Sequence, residues 1–407
     1  MSAACRSCGS TGLRPFLDLG ETPLADRLLS PARADRPEPR FPLRVAMCPE
    51  CSLVQLLESA PPEQLFADEY PYYSSFSDAL LRHSRENAEG LIASRRLGPE
   101  SLVVELASND GYLLRNFVDH GVPVLGIDPA DGPAAVAIAS GVPTTVAFFT
   151  QALANDLRAA GRQADVIIAN NVMAHVPDLN GFVSGMERLL APDGIVSVEN
   201  PYVRPLVEEC QFDTIYHEHH CYFSCTAVDT LMVRHGLHLN DVVPFPGLHG
   251  GTLRWLCSRN PERSERAAAY LEAERRDGVT DPAFYAAFAD RVASVRQRLR
   301  AVLEDLRAQG CSVAGYGAAA KGATLLNHVG IGTDLVEYVV DRNVHKHGCL
   351  MPGTRQPILP VETLLERRPD VVLLLAWNFA EEIARQQAPY LDGGGRFLVP
   401  VPEPRFR

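Results

Sequence analysis

Three His, one Glu and two Tyr fall within seven residues at Tyr216-His217-Glu218-His219-His220-Cys221-Tyr222. Solvated charge runs are built from Lys and Glu without aromatics, so this composition points to a second metal site, an acid–base site or a pH-sensitive surface. Imidazole suits proton abstraction near neutral pH. A tyrosine hydroxyl suits stabilisation of an enolate oxygen. On a strand, Tyr216, Glu218 and His220 would share one face and His217 and His219 the other; a helix or loop would mix them. Spacing alone does not select the base.

A second group of reactive side chains lies near the N-terminus. Cys5-Arg-Ser-Cys8-Gly and Cys48-Pro-Glu-Cys51-Ser are two tight Cys-x-x-Cys knuckles. Four thiolates aimed at one point suit tetrahedral zinc, and with all four positions filled the metal would be structural. The gap between the pairs exceeds the usual ribbon spacing of roughly 15–20 residues. The Pro-rich stretch 30–42, read as a loop, absorbs the excess. Residues 1–60 show little periodicity, so a metal would hold together a module with little core. The other six cysteines, Cys210, Cys221, Cys225, Cys257, Cys311 and Cys349, read mostly as small buried residues.

Strand and helix signals alternate from residue 78 onward. Residues 78–97 look helical, and apolar strands are expected at Leu102–Leu106, Val122–Ile127, Asp165–Ala169 and Ile195–Glu199. The first strand ends in Ser108-Asn109-Asp110-Gly111. Glu105 lies at its carboxyl end, and Asp128 ends the next strand about twenty residues on, placed to hold ribose hydroxyls. The turn has one Gly where dinucleotide folds want three, and an added anion would be repelled by Asp110. A sulfonium cofactor without phosphate fits better, so S-adenosylmethionine is preferred to NAD. Asn170, at a strand end, and His175, about one turn on, would line the same cleft.

Residues 262–309 read as a connecting helix pair, with Val292, Val295, Leu299, Val302, Leu303 and Leu306 at helical spacing. A second βα series follows, with strands at Cys311–Gly315, Val336–Val340 and Asp370–Ala376. Gly315-x-Gly317-x-x-Ala320, with Asp341 ending the next strand, matches a dinucleotide fingerprint on paper. Read alone, that fingerprint argues for a nicotinamide-dependent nucleotide-sugar oxidoreductase. Helix N-terminal amides bind any pyrophosphate, however, and Lys321 adds a cation. Lys346 reads as a solvated charge.

The chain has 407 residues, enough for two or three domains. The reading is an α/β protein: a zinc-binding module over 1–70, a Rossmann-like methyltransferase domain over 71–240 and a second Rossmann-like domain over 241–407. A net charge of −12 argues against nucleic acid as a partner. No apolar run nears the ~18 residues of a membrane span, and no signal-peptide pattern opens the chain. A cytoplasmic protein with reduced thiols is expected, with no membrane partner, as a monomer or small homo-oligomer.

Taken together, the Cys knuckles, Asp68-Glu-Tyr-Pro-Tyr-Tyr-Ser-Ser75, Glu105-Leu-Ala-Ser-Asn-Asp-Gly111, Tyr216-His-Glu-His-His220, His249-Gly-Gly-Thr-Leu-Arg254 and Gly315-Tyr-Gly-Ala-Ala-Ala-Lys-Gly322 make the sequence resemble one family over essentially its whole length. That family is the deoxysugar C-methyltransferases of antibiotic biosynthesis, which act on dTDP-linked 4-keto sugars. The resemblance implies that a histidine removes the C3 proton acidified by the 4-ketone, and that the enolate takes a methyl from S-adenosylmethionine. It implies His219 as the base, Tyr216 and Glu218 flanking the sugar, and His175 with a tyrosine of the 70–73 segment, Tyr70 being favoured, completing the pocket. Cofactor contacts are expected at Glu105, Ser108, Asn109, Asp110, Asp128 and Asn170, and zinc at Cys5, Cys8, Cys48 and Cys51. The second α/β unit is expected to hold the sugar nucleotide through Arg254, Tyr316, Lys321, Trp377 and Asn378. A zinc-stabilised nucleotide-binding module without chemistry is the third reading, which the His/Tyr/Glu run disfavours.

Overall fold

Between the two cysteine knuckles, apolar and polar residues alternate more than the sequence suggests. In Arg14–Pro23 (β1), Leu17 and Leu19 turn inward, and in Arg40–Met47 (β2), Leu43, Val45 and Met47 do the same. The two pair antiparallel, with register shifts between Pro15 and Leu17 and between Asp18 and Glu21. Val54–Leu56 (β3) continues the sheet. The expected weak periodicity of residues 1–60 is therefore corrected. Bulges and the interior prolines Pro15 and Pro42 break the period of two that a strand would otherwise print on its sequence. The expected loop 30–42 gives way to β2 at Arg40. The computed structural model describes residues 3–34, 36–60, 73–76, 78–248 and 250–407. Tyr70, His249 and positions 68–72 lie outside them.

The helix Asp78–Arg95 leads into a second sheet. Its strands are Val103–Leu106 (β4), Val124–Asp128 (β5), Thr144–Val146 (β6), Ala164–Asn170 (β7) and Leu190–Pro201 (β8). β4 and β5 are buried throughout, as continuous apolar runs covered on both faces should be. Cys221–Tyr222 (β9) returns to the first sheet and pairs antiparallel with β3. His238–Phe245 (β10) and Thr252–Ser258 (β11) complete the second sheet, in the order β10-β11-β8-β7-β4-β5-β6. β8 to β6 run parallel, and β11 lies antiparallel to β8. The expected domain boundary at 240/241 cuts through β10. β10 and β11 hydrogen-bond into this sheet rather than the next.

The connecting segment folds as Glu265–Arg276 and Phe288–Ala308 with a short turn of helix between. Val292, Val295, Leu299, Leu303 and Leu306 are buried as their spacing predicts. They share one core with β1, β2 and the third sheet. That sheet comprises Val313–Tyr316 (β12), Val339–Asp341 (β13), Ile358–Pro360 (β14), Val371–Leu374 (β15), Arg396–Val399 (β16) and Arg405–Phe406 (β17). Its order is β14-β13-β12-β15-β16-β17, parallel except for β17. In both parallel sheets the order reverses at the first strand of the unit, β4 and β12, which opens a crevice at the carboxyl ends. No helix among the described residues is long and apolar enough to cross a membrane.

Candidate active site

The two knuckles adopt one backbone pattern. Gly9 N–H donates to Cys5 O and Ser52 N–H to Cys48 O, both residues at positive φ four positions after the first cysteine. Cys5, Cys8, Cys48 and Cys51 place their sulfurs within 4.8 Å of one another. Zinc–sulfur bonds of ~2.3 Å in a tetrahedron put sulfurs about 3.8 Å apart, so the four residues fit that ion. Gln55 of β3 ties the first knuckle to the sheet by accepting from Arg6 N–H at 2.8 Å and donating to Ala4 O at 3.2 Å.

β4 opens into a strained turn. Ala107 and Asn109 have φ of 57° and 50°, a left-handed conformation that costs on the order of 1 kcal/mol each for residues with a Cβ. Asp128, at the end of β5, holds the turn: its two oxygens accept from Asn109 N–H and Ala130 N–H, each at 2.8 Å. Gly126 is required beside it, because a Cβ there would lie 2.4 Å from Ser108 Oγ. Glu105 is 1% exposed, and burial, then Asp128 and Asp110, push its carboxyl well above the usual range. Glu105 Oε2, Ser108 Oγ, Asp110 Oδ1 and Asn170 Oδ1 are buried with no partner among the described residues. These orphaned acceptors, with the carboxyl groups of Glu105, Asp110 and Asp128, could hold a cation such as the sulfonium or ammonium of S-adenosylmethionine, whose charge would favour ionised Glu105. Remaining lone pairs of Asp128 suit ribose hydroxyls. Asp128→Ala should therefore weaken S-adenosylmethionine binding at least roughly tenfold by calorimetry, with the zinc module and its metal content unaffected.

Ser74 N–H donates to Asn109 Oδ1 at 2.9 Å and Ser75 N–H to Asp110 Oδ2 at 3.2 Å, so the segment after the tyrosines lies over the cofactor turn. Tyr73 stacks on His345 of the third unit, ring centroids 5.7 Å apart. It is the tyrosine of the 70–73 segment that the described residues place between the two units.

The polar run is neither strand nor helix at its centre. His219 N–H donates to Tyr216 O at 3.0 Å, closing a turn that sets the two side chains together. Their rings lie 4.0 Å apart, and Tyr216 Oη is 2.8 Å from His219 Nε2. His219 Nδ1 lies 3.1 Å from Thr214 O. A carbonyl only accepts, so Nδ1 carries the proton in the neutral ring, and Nε2 is the basic nitrogen, accepting from Tyr216 Oη. His175 packs edge-on to His219 at 4.7 Å, and burial lowers its pKa to about 4. His217 points away: its Nε2 lies 3.1 Å from Phe41 O. His220 is buried, which lowers its pKa to about 3. Burial and then Asp26 push the Glu218 carboxyl up to about 8. Asp26, in the loop after β1, is solvent-exposed but walled by protein, and its N–H approaches Glu218 Oε1 at 3.5 Å. Burial raises its own carboxyl against the pull of Lys346 and the Ala320 amide.

In the third unit, Lys321 Nζ donates to Asn378 Oδ1 at 2.9 Å and lies 4.9 Å from the Trp377 ring centroid. Burial lowers the Lys321 pKa while Asp213 raises it. Trp377 Nε1 donates to Asp213 Oδ2 at 2.6 Å. These residues meet as expected, but two others do not join them. Tyr316 is 4% exposed within the unit's own core, among Tyr338, Val372 and Phe397. Arg254 sits on β11 of the second sheet, where its guanidinium binds Glu199 at 2.8 Å, and His83 Nε2 reaches the same carboxylate at 2.7 Å. Burial raises the Glu199 carboxyl, but His83 and Arg254 outweigh it and hold it low. Lys346, expected in solvent, is corrected too: its Nζ donates to Ala318 O at 2.7 Å and lies near Asp341. Asp341 Oδ2 in turn accepts from Ala318 N–H at 2.7 Å, so this acid braces the glycine loop. Gly317, at φ 100°, would put a Cβ 2.7 Å from Ala376 Cβ.

Sequence reasoning missed Asp26, Asp213 and His83, and the pairing of Glu199 with Arg254, which was expected at the sugar nucleotide instead. Each gains its place from partners over fifty residues away, and no local spacing announces that.

Family models match three stretches: a zinc binding domain over residues 5–66, a methyltransferase domain over 79–242 and a C-methyltransferase C-terminal domain over 247–402. The chain is 37% identical to C-methyltransferase NovU of Streptomyces niveus over 404 residues, 98% of this chain and 96% of that protein. It is 29% identical over 122 residues to a ubiquinone biosynthesis O-methyltransferase of Azorhizobium caulinodans, 30% of this chain and 47% of that one. Among solved structures, magnesium protoporphyrin IX methyltransferase of Synechocystis PCC 6803 with bound SAM aligns at a TM-score of 0.34 and 14% identity, over 49% of this chain and 89% of that one.

Proposed function

The chain belongs to the C-methyltransferase family, and from that premise we propose that it methylates a carbon beside the ketone of a dTDP-linked 4-keto deoxysugar, in the making of an antibiotic sugar. The observation that carries the proposal is the Tyr216–His219 pair. In the neutral imidazole its hydrogen bonds put the basic nitrogen at the phenol, beside His175 and ahead of a strand that joins the zinc module. S-adenosylmethionine, when bound at Glu105 and Asp128, supplies an electrophilic methyl group. His219 Nε2 accepts the proton from the carbon made acidic by the ketone. The Tyr216 hydroxyl, freed from that nitrogen, donates to the developing enolate oxygen. Glu218, protonated in its buried setting near neutral pH, can donate to a sugar oxygen rather than repel the enolate. Lys321 and Asn378 hold the nucleotide diphosphate, with the glycine loop at Gly315–Ala320 beneath it. We place the reaction in the cytoplasm, where the zinc thiolates stay reduced.

A 4-ketone acidifies the hydrogens on both neighbouring carbons, and C3 is the position proposed. The test is a panel of dTDP-linked 4-keto sugars incubated with S-adenosylmethionine, with product mass read first and the methylated carbon then located by NMR. A C3-methyl product supports the reading in full. A methyl on the other neighbouring carbon keeps the chemistry and overturns the position. Methylation of unlinked ketones only would overturn the nucleotide sugar.

A further inference from the structure

Phe212–Thr214 is a single turn of 3-10 helix just ahead of the His219 turn. Its carbonyl at Thr214 is the acceptor that fixes the His219 ring. Thr214 itself is held from within the loop, since Thr214 Oγ1 donates to Gln211 O at 2.7 Å. From outside, the third unit grips the same turn at two adjacent residues. Phe212 packs edge-on to His328 of the helix Ala320–Val329, ring centroids 5.2 Å apart. Asp213 accepts from the Trp377 indole at 2.6 Å. Asp213 is fully buried, and its second oxygen has no partner among the described residues. Burial lifts its carboxyl to about 6, and Lys321 and the indole N–H oppose that lift. A buried carboxylate with one strong donor is costly unless the bond does something, because replacing it with an apolar side chain would serve packing as well.

We infer that Asp213 and Trp377 are positioning residues for the base: their hydrogen bond lets the nucleotide-binding unit fix the Thr214 carbonyl, and through it the tautomer and basicity of His219. This inference rests on the reading of His219 as the base. The ring accepts a proton at Nε2 and becomes imidazolium, with both nitrogens donating. A carbonyl at Nδ1 stabilises that charged form more than the neutral one, because hydrogen bonds to ionised donors are the stronger ones. Trp377 also neighbours Lys321, where the diphosphate is placed. The base is thus set correctly only when the third unit is docked on the loop, which couples substrate capture to proton abstraction.

The experiment compares Trp377→Phe, Asp213→Ala and Asp213→Asn in the zinc-loaded full chain at saturating sugar nucleotide. Trp377→Phe and Asp213→Ala should lower kcat roughly ten- to hundredfold, a cost typical of a misplaced catalytic group. KM for S-adenosylmethionine should stay within about twofold, since the cofactor turn is untouched. The acid limb of the kcat profile should move to lower pH in both, because imidazolium loses its oriented acceptor. Asp213→Asn keeps an oxygen that can accept from the indole and should retain kcat within roughly threefold. Unchanged kcat and an unmoved acid limb in Trp377→Phe would overturn the inference. A purely structural role would lower Tm and the active fraction without moving the limb, which also counts against it. His219→Asn run in parallel separates the two ideas: if that variant keeps turnover, it is the base assignment that fails.

Discussion

His219→Asn should lower turnover by at least about a thousandfold while leaving S-adenosylmethionine affinity within about twofold of the parent. General-base catalysis contributes typically 10²–10⁴-fold, and here no neighbour can take over. His217 turns away toward Phe41 O, and burial holds His175 and His220 at depressed pKa values of about 4 and about 3, so both are weak bases. Asparagine can still donate to Thr214 O, so the loop keeps its internal bond. What is lost is the lone pair facing Tyr216 Oη. The proposed cofactor contacts, Glu105 and Asp128, lie on the second sheet, away from the His219 turn. Turnover assays beside calorimetry of S-adenosylmethionine binding check both halves. A variant that keeps a tenth of the parent rate would place the base elsewhere.

Removing zinc should abolish turnover although no zinc ligand faces the substrate. Cys5, Cys8, Cys48 and Cys51 close the only metal-ligating group found among the described residues. Structural zinc supplies on the order of 10 kcal/mol of folding free energy in small modules, comparable with the whole stability of a domain. The consequence reaches the base by a short path. The first knuckle bonds Gln55. β3 pairs with β9 at Val54 and Gln55, and Leu56 N–H donates to His220 O at 3.0 Å. Without the module's sheet, the His220 carbonyl loses Leu56 N–H, and among the described residues only the bond from His220 N–H to Ala174 O at 2.7 Å still ties that residue's backbone. Dialysis against a chelator should therefore eliminate product formation and disorder the N-terminal sheet, with S-adenosylmethionine binding much less affected. Re-added zinc should restore turnover. Metal-free protein that still turns over would show that the module is a bystander.

The parallel units were legible because a strand buried on both faces prints itself as an apolar run: Leu102–Leu106 and Asp370–Ala376 are nearly the observed β4 and β15. The cysteine tetrad was legible because four thiols in two knuckles have little else to do. Strands with one short register broken by bulges and prolines, such as β1 and β2, leave no such print. β10 and β11 join the second sheet from beyond the expected boundary because antiparallel edge strands carry a mixed pattern, with Arg254 buried only by virtue of Glu199. Within the site, residue types suggested acid–base chemistry, but a single β-turn decides which of three histidines meets Tyr216. Turns of this kind depend on tertiary anchors, here Thr214 O and β3, that a spacing rule does not contain. The motif alone did not show that Tyr316, between Gly315 and Gly317, packs its ring into the core.

In the proposed reaction a carbanion forms beside the ketone before any methyl moves. The most direct measurement follows the hydrogens flanking the ketone of a dTDP-linked 4-keto sugar by NMR in deuterated water, with S-adenosylhomocysteine in place of the methyl donor. Wild-type protein should exchange one of those hydrogens for deuterium, and His219→Asn should not. Methyl transfer by a wild-type enzyme in which exchange at the methylated carbon is never observed, together with an active His219→Asn variant, would contradict the proposed reaction.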